Sequence, residues 1–341
     1  MKGRMIVLDH LEGREAAALL VDGRLDDLLI DDDSAPRQGA IYRAICDRPL
    51  KGQGGMMLRL PEGAAFLRQA KGLSPGQSML VQVTGVAEPG KAVPVTDRVL
   101  FKSRYAIVTP GAPGHNVSRA IADEAERERL LSIADEVMDG PFGLILRSSC
   151  EAANADEVAE DIAEMLALAT AVIADTTGAD PEALTEGDGP HVLAWREWSA
   201  DTVVTEPGGF AREGVLDQID ALNGAATDLG EGVMYVETTR ALVAVDVNTG
   251  GDTSQAAALK VNLAAARALP RALRLRGLGG QITVDFAPMS KAHRKQVEQS
   301  LRNSFNNDPI ETSLVGWTPM GLFELQRKRE RPPLARLLRG A

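Results

Sequence analysis

The chain has 341 residues, 44 % hydrophobic and 25 % charged, a globular composition that excludes disordered and collagen-like chains and, at this length, fits about two to three domains. No apolar run reaches the roughly 18 residues of a membrane span, the start meets charge too soon for a secretory signal, and Cys46 and Cys150 are too few and too far apart for a disulfide framework or a Cys-based zinc site; the expected setting is reducing and cytoplasmic. The net charge of -11 speaks against a nucleic-acid partner only as an average, because residues 151–240 hold 20 acidic and 3 basic side chains while 260–341 hold 15 basic and 6 acidic.

Fields act within a Debye length of about 8–10 Å, so an acidic lobe need not spoil a basic one. Arg outnumbers Lys 28 to 9, which suits bidentate phosphate contacts, although a high-GC genome gives the same bias.

In chain order, Met5–Asp9 reads as a strand, and Ala16–Val21 and Leu25–Ile30 as a hairpin turning at Asp22-Gly23. Asp31 to Pro36 is a polar break. From Gly39 to Leu100, short strand-like runs at Ile41–Cys46, Gly55–Leu60, Met79–Val86 and Lys91–Leu100 alternate with Gly/Pro turns, the pattern of a small β-barrel. Tyr105–Thr109 and Leu144–Arg147 are strands. Asp156–Ala174 is a helix with Val158, Ile162, Met165, Leu166 and Ala169 on one stripe. Val192–Trp198 and Thr202–Thr205 are expected as strands, and Gly214–Asn223 as a helix.

Residues 239–287 form one unit. The apolar run Ala241–Val245 fits a strand buried on both faces and ends at Asp246. A polar glycine loop, Asn248 to Asp252, leads into a helix from Ser254 to Arg276, with a basic face of Arg267, Arg271, Arg274 and Arg276. Pro270 should kink it. Gln281–Val284 is the second strand, ending at Asp285. Strand, helix and strand make a right-handed crossover, so the two strands are expected parallel and adjacent. Each then delivers an Asp at its C-terminal end, where open α/β sheets bind ligands. Two neighbouring carboxylates repel, and a hard divalent cation such as Mg²⁺ resolves that repulsion. Asp at a strand end also caps turns, and Asp252 reads best as such a cap.

These residues resemble the catalytic core of the ribonuclease E/G family: Leu242 to Gly250, Asn262 to Ala266, Leu273 to Gly280, Val284-Asp285-Phe286, and the closing stretch Gly321 to Arg329. The resemblance reaches back to Ala18–Gly23, Gly39–Tyr42 and Ser118–Ile121, and is weakest over 150–230. It implies a Mg²⁺ endoribonuclease cutting single-stranded RNA, with Asp246 and Asp285 as metal ligands and Asn248 as the catalytic amide. The implied fold is α/β and multi-subdomain: a ribonuclease H-like domain (1–36 and an abridged 188–232) interrupted by an S1-like RNA-binding barrel (37–100), then a 5′-sensor region (101–187) and a DNase I-like catalytic subdomain (233–341).

By the same resemblance, Arg147 and Ser148 would hold a 5′-monophosphate, with Ser148 where the family has Thr. Phe66 and Lys91 would contact RNA in the barrel, but Met56-Met57 stands where a second aromatic belongs. Arg271, Arg274, Lys328 and Arg329 are expected along a phosphate track. The family's Cys-based zinc link has no counterpart after Cys150, so no zinc is expected, and assembly should be a monomer or weak homodimer. An alternative reading is a catalytically weak RNA-binding or regulatory member of the family. A nucleotide switch is disfavoured because no Gly-x-x-x-x-Gly-Lys-Ser/Thr loop occurs.

Overall fold

The structure is a computed structural model that describes residues 2–50, 52, 54–88 and 90–338. The chain divides into two units, Met1–Asp32 with Ser199–Ala341, and Asp33–Trp198.

The first unit holds two sheets. In the smaller, Arg4–Leu11, Arg14–Val21 and Arg24–Ile30 form an antiparallel meander, and Thr202–Val204 adds in parallel to Arg4–Leu11. The Asp22-Gly23 turn takes positive φ at both residues, the conformation that a tight hairpin needs. Val7, Leu20, Leu25 and Leu28 pack with Phe210, Val215 and Ile219.

The larger sheet has six strands in the order Ala226–Asp228, Val233–Thr238, Val243–Asn248, Gly280–Asp285, Phe323–Arg327, Thr312–Trp317. Every neighbouring pair is antiparallel except the central one, where Val243–Asn248 and Gly280–Asp285 run parallel as the crossover requires. Helix Gln255–Leu275 makes the crossover, continuous through a buried Pro270. Its residues Val261, Ala265 and Leu269, with Val297 and Leu301 of helix Lys291–Asn306, share a core with Val243, Val245, Val247, Ile282 and Val284.

The expectation of a central strand buried on both faces is corrected. Val243, Val245 and Val247 are buried, whereas Asp246 and Asn248 are exposed and Ala244 is half-buried. Alanine tolerates a half-open face, so the small apolar run hid its alternation. The strand also continues past Asp246 to Asn248.

In the second unit, Ile41–Leu50, Gly55–Leu60, Gly63–Leu67, Val93–Thr96 and Ser78–Val83 pair in that order, and Ser78–Val83 returns to Ile41–Leu50 to close a five-stranded barrel. Ala44, Cys46, Leu58, Ala65 and Val81 fill it. Glu182–Thr185 pairs outside on Ile41–Leu50. The remainder is a four-stranded sheet, in the order His115–Val117, Gly143–Leu146, Ala106–Thr109, Phe101–Lys102, packed with helices Glu124–Val137 and Ala155–Ala174. Val158, Ile162 and Ala169 are buried there, as their spacing predicts.

Val192–Trp198 is not a strand. Helix Pro190–Glu197 covers most of it, with Pro190 in the first turn, where a missing N–H costs nothing. Ala194 and Trp198, four apart, are the buried pair that betrays the helical period.

Candidate active site

Asp246 and Asp285 are direct partners in the register of the two parallel strands. Adjacent strands lie about 4.8 Å apart, so two exposed carboxylates of like charge project from one level of one sheet face. Asn248, two residues beyond Asp246, lies on the same face, and its Nδ2 donates to Asp246 Oδ2 at 2.6 Å. That bond fixes one carboxylate oxygen and the amide together.

The surroundings hold this geometry. A Cβ on Gly232 would collide with the Asn248 carbonyl, so glycine lets the neighbouring strand Val233–Thr238 begin here. Asp252 Oδ1 accepts from the Ser254 backbone N–H at 2.8 Å, and Ser254 Oγ accepts from Ala257 N–H. Those bonds draw the Asp252 carboxyl below its ordinary range and occupy it at the helix start. Behind the strands, the fully buried Asn262 donates Nδ2 to the Ala287 carbonyl at 2.8 Å and accepts the Ala287 N–H at 3.0 Å. It thereby ties the chain just after Asp285 to the crossover helix. Its role escaped sequence reading, though a lone amide on an otherwise apolar helix stripe was the available signal.

A hard divalent cation fits this donor set. Two exposed carboxylates and an amide offer oxygen ligands, and Mg²⁺ takes few protein ligands, completing its shell with water and phosphate oxygens. Among the described residues no group of three or more His, Cys, Asp or Glu could hold a metal, so a cage made only of protein ligands is not formed.

The second expected site is built differently. Arg147 follows strand Gly143–Leu146, and Ser148 opens the next turn, exposed. The Arg147 guanidinium donates to the carbonyls of Ser103 at 2.6 Å and of Arg104 and Arg196 at 3.3 Å, and pairs with Glu197 at 2.6 Å. Glu197 also meets Lys102 at 2.7 Å and Arg196 at 2.8 Å. Burial pushes its carboxyl up, but the Lys102 bond and three cationic neighbours outweigh that and hold it at about 2. Asp188 is a second partner of Arg196, so three cations face two carboxylates. Glu197, Lys102 and Arg196 were not picked out from sequence, because their meeting depends on the helix that was read as a strand.

In the barrel, Phe66 lies over Gly55, and its cross-strand partner is the half-buried Met57; Met56 is buried. Lys91 is exposed and pairs with Glu88 at 2.7 Å.

The phosphate track needs correction. Arg274 is only 7 % exposed, and its guanidinium pairs with Asp26, Asp27 and the fully buried Asp308. Arg271 Nε donates to the Leu25 carbonyl at 2.7 Å. Arg276, on the same presumed basic face, is buried too. These arginines bind the helix to the N-terminal meander and the sheet: Arg274 is buried in that tie and so does not line an RNA track, while the half-buried Arg271 is anchored there through Nε alone. Arg327, also buried, meets Asp308 at 2.8 Å. Lys328 is exposed and pairs with Glu311, and the exposed Arg329 side chain lies against Gly280.

The chain thus combines a mixed α/β fold, a closed five-stranded barrel and a pair of aspartates in register on a sheet face. The sequence model of the Ribonuclease E/G family matches residues 101–205 and 200–330, and the chain belongs to that family. It is 28 % identical over 302 residues to Ribonuclease G of Escherichia coli (strain K12), covering 77 % of this chain and 62 % of that protein. To Ribonuclease E of Nostoc sp. (strain PCC 7120) it is 27 % identical, covering 80 % and 46 %, and to Ribonuclease E of Synechocystis sp. (strain PCC 6803) 26 %, covering 94 % and 56 %. The chain thus spans about half to three fifths of the length of these relatives.

Proposed function

We propose that this chain is an endoribonuclease that cleaves single-stranded RNA with Mg²⁺ at the Asp246–Asp285 row. The observation that carries the reading is the direct register of two exposed aspartates on adjacent parallel strands, in a chain of this family. Asp246 and Asp285 would hold the ion, and Asn248, tied to Asp246, would orient the attacking water or a phosphate oxygen. When bound, Mg²⁺ supplies charge neutralisation on the phosphodiester and lowers the pKa of water. The smaller sheet of the first unit is read as the ribonuclease H-like part, the six-stranded sheet as the DNase I-like part, and the barrel as S1-like, with Phe66 and Lys91 toward RNA. Lys328 and Arg329 remain as phosphate contacts.

Preference for a 5′-monophosphate belongs to the same reading, with Arg147 and Ser148 as its donors. Glu197 already occupies the Arg147 guanidinium, so a terminal phosphate competes with that carboxylate. The test is incubation with single-stranded RNA bearing a 5′-monophosphate or a 5′-hydroxyl, in Mg²⁺ and in EDTA. Cleavage in Mg²⁺ alone supports the proposal, and intact RNA in both overturns it.

One observation favours a second reading, an RNA-binding member with weak cleavage: Met57, not an aromatic, faces Phe66 in the barrel. Tight RNA binding without Mg²⁺-dependent products would select it.

A further inference from the structure

The row that carries the two aspartates has a third occupant. Tyr235, on strand Val233–Thr238, is the direct cross-strand partner of Asp246, so Tyr235, Asp246 and Asp285 stand in line on three neighbouring strands. Its strand neighbours Met234 and Val236 are buried in the core, whereas Tyr235 is 38 % exposed on the opposite face. That face is otherwise polar near the row, with Glu237, Asn248, Gln281, Glu324 and Gln326 all exposed. The core does not need this ring, and a large aromatic on a polar face calls for a partner from outside. Directly opposed side chains on antiparallel strands have Cβ atoms about 4.5–5.5 Å apart, which places the ring one strand from the first carboxylate and two from the second.

We infer that Tyr235 is a stacking platform for a nucleobase flanking the phosphodiester that the aspartate row takes. This rests on the reading of Asp246 and Asp285 as the cleavage site. The face carries several carboxylates and offers RNA no electrostatic attraction of its own, so an uncharged contact with a base fits it. Every base has a π-face, so the grip tolerates any sequence and fails where the base is missing. Tyr235 thus positions substrate, and takes no proton and forms no bond in the reaction.

The test uses the intact protein in Mg²⁺ with single-stranded RNAs carrying one 5-iodouridine, moved position by position, with photo-crosslinks mapped by mass spectrometry and cut sites mapped in parallel. The expected result is a crosslink to Tyr235 from a base next to the cleaved phosphodiester. Tyr235→Leu should raise KM about tenfold to hundredfold with a smaller change in kcat, as loss of one stacked base predicts, and Tyr235→Phe, which keeps the ring, should recover most of that loss. An RNA lacking that one base should lose as much with the parent protein and nothing further with Tyr235→Leu. Cleavage with no crosslink to Tyr235, or with KM unchanged in Tyr235→Leu, overturns the platform and leaves the nuclease reading standing. A crosslink to Tyr235 without cleavage overturns the nuclease reading and keeps Tyr235 as an RNA contact. Neither crosslink nor cleavage overturns both.

Discussion

Asp246 and Asp285 place two like charges side by side, a destabilising arrangement that the fold keeps. Relieving it should not harm folding. Asp246→Asn and Asp285→Asn are expected to abolish RNA cleavage while leaving the thermal midpoint unchanged or slightly raised; near-parental turnover in either variant contradicts the assignment. Glu197 is the opposite case, a carboxylate surrounded by cations. Its ordinary value is 4.5 and the folded value about 2, so the stability it lends is complete above the ordinary value and drains as pH falls toward the folded one. The gap in thermal midpoint between the parent and Glu197→Gln should therefore be widest near neutral pH and close in acid. Glu197→Gln should also release Nη2 of Arg147 from its ion pair, while Nη1 stays on the carbonyls of Ser103, Arg104 and Arg196. A charge-assisted hydrogen bond contributes about 1.5–3 kcal/mol, so preference for 5′-monophosphorylated over 5′-hydroxyl RNA should rise roughly tenfold or more in competition assays.

Helix Gln255–Leu275 shows what an element can and cannot disclose. Its start at Ser254, its apolar stripe and its place between two parallel strands were legible, because capping and period are local properties. The fate of its arginines was not. Arg271, Arg274 and Arg276 repeat at helical spacing like a solvated face, yet the groups that neutralise Arg274 are Asp26 and Asp27, nearly 250 residues earlier, and Asp308. No window on the helix contains that information. Strand Gly63–Leu67 was missed for a related reason, since Gly and Ala carry little strand signal and only pairing on both sides makes it one. The buried network yields a further prediction. Arg327→Met leaves the fully buried Asp308 short of a partner, and breaking a buried pair costs about 3–5 kcal/mol, which urea unfolding will measure. Asn262→Leu strands both backbone groups of Ala287 and should cost about 2–4 kcal/mol by the same measurement.

Across the whole molecule, the basic excess of residues 260–341 becomes surface charge only in part. Arg274, Arg276 and Arg327 are buried, and Lys328 has an acidic partner. RNA affinity should then fall with salt, but gently. Neutralising about three phosphates, by Lys91, Lys328 and Arg329, gives a slope near −2 in log K against log salt for single strands. Fluorescence anisotropy from low to physiological salt checks this: a slope several times steeper would mean that a larger cationic track exists. The coarse architecture, an α/β chain with a small barrel, was readable from turn spacing and the crossover. The short strand Thr202–Val204 shows a limit of such reading: its element was foreseen, but its parallel pairing with Arg4–Leu11 joins segments 190 residues apart.

That pairing has a consequence for synthesis on the ribosome. The first unit takes three strands from residues 4–30 and its other elements from residue 199 onward, with the whole second unit between. At a translation rate of about 5–20 residues per second, the opening meander waits roughly ten to fifty seconds before Phe210, Val215 and Leu275 emerge to cover Leu20, Leu25 and Leu28. Meanwhile residues 33–198 can complete their own cores. Nascent chains stalled just after Trp198 has left the exit tunnel should therefore resist protease over the barrel and yield to it before Asp33. The protein would be born middle first, with its earliest residues among the last to settle.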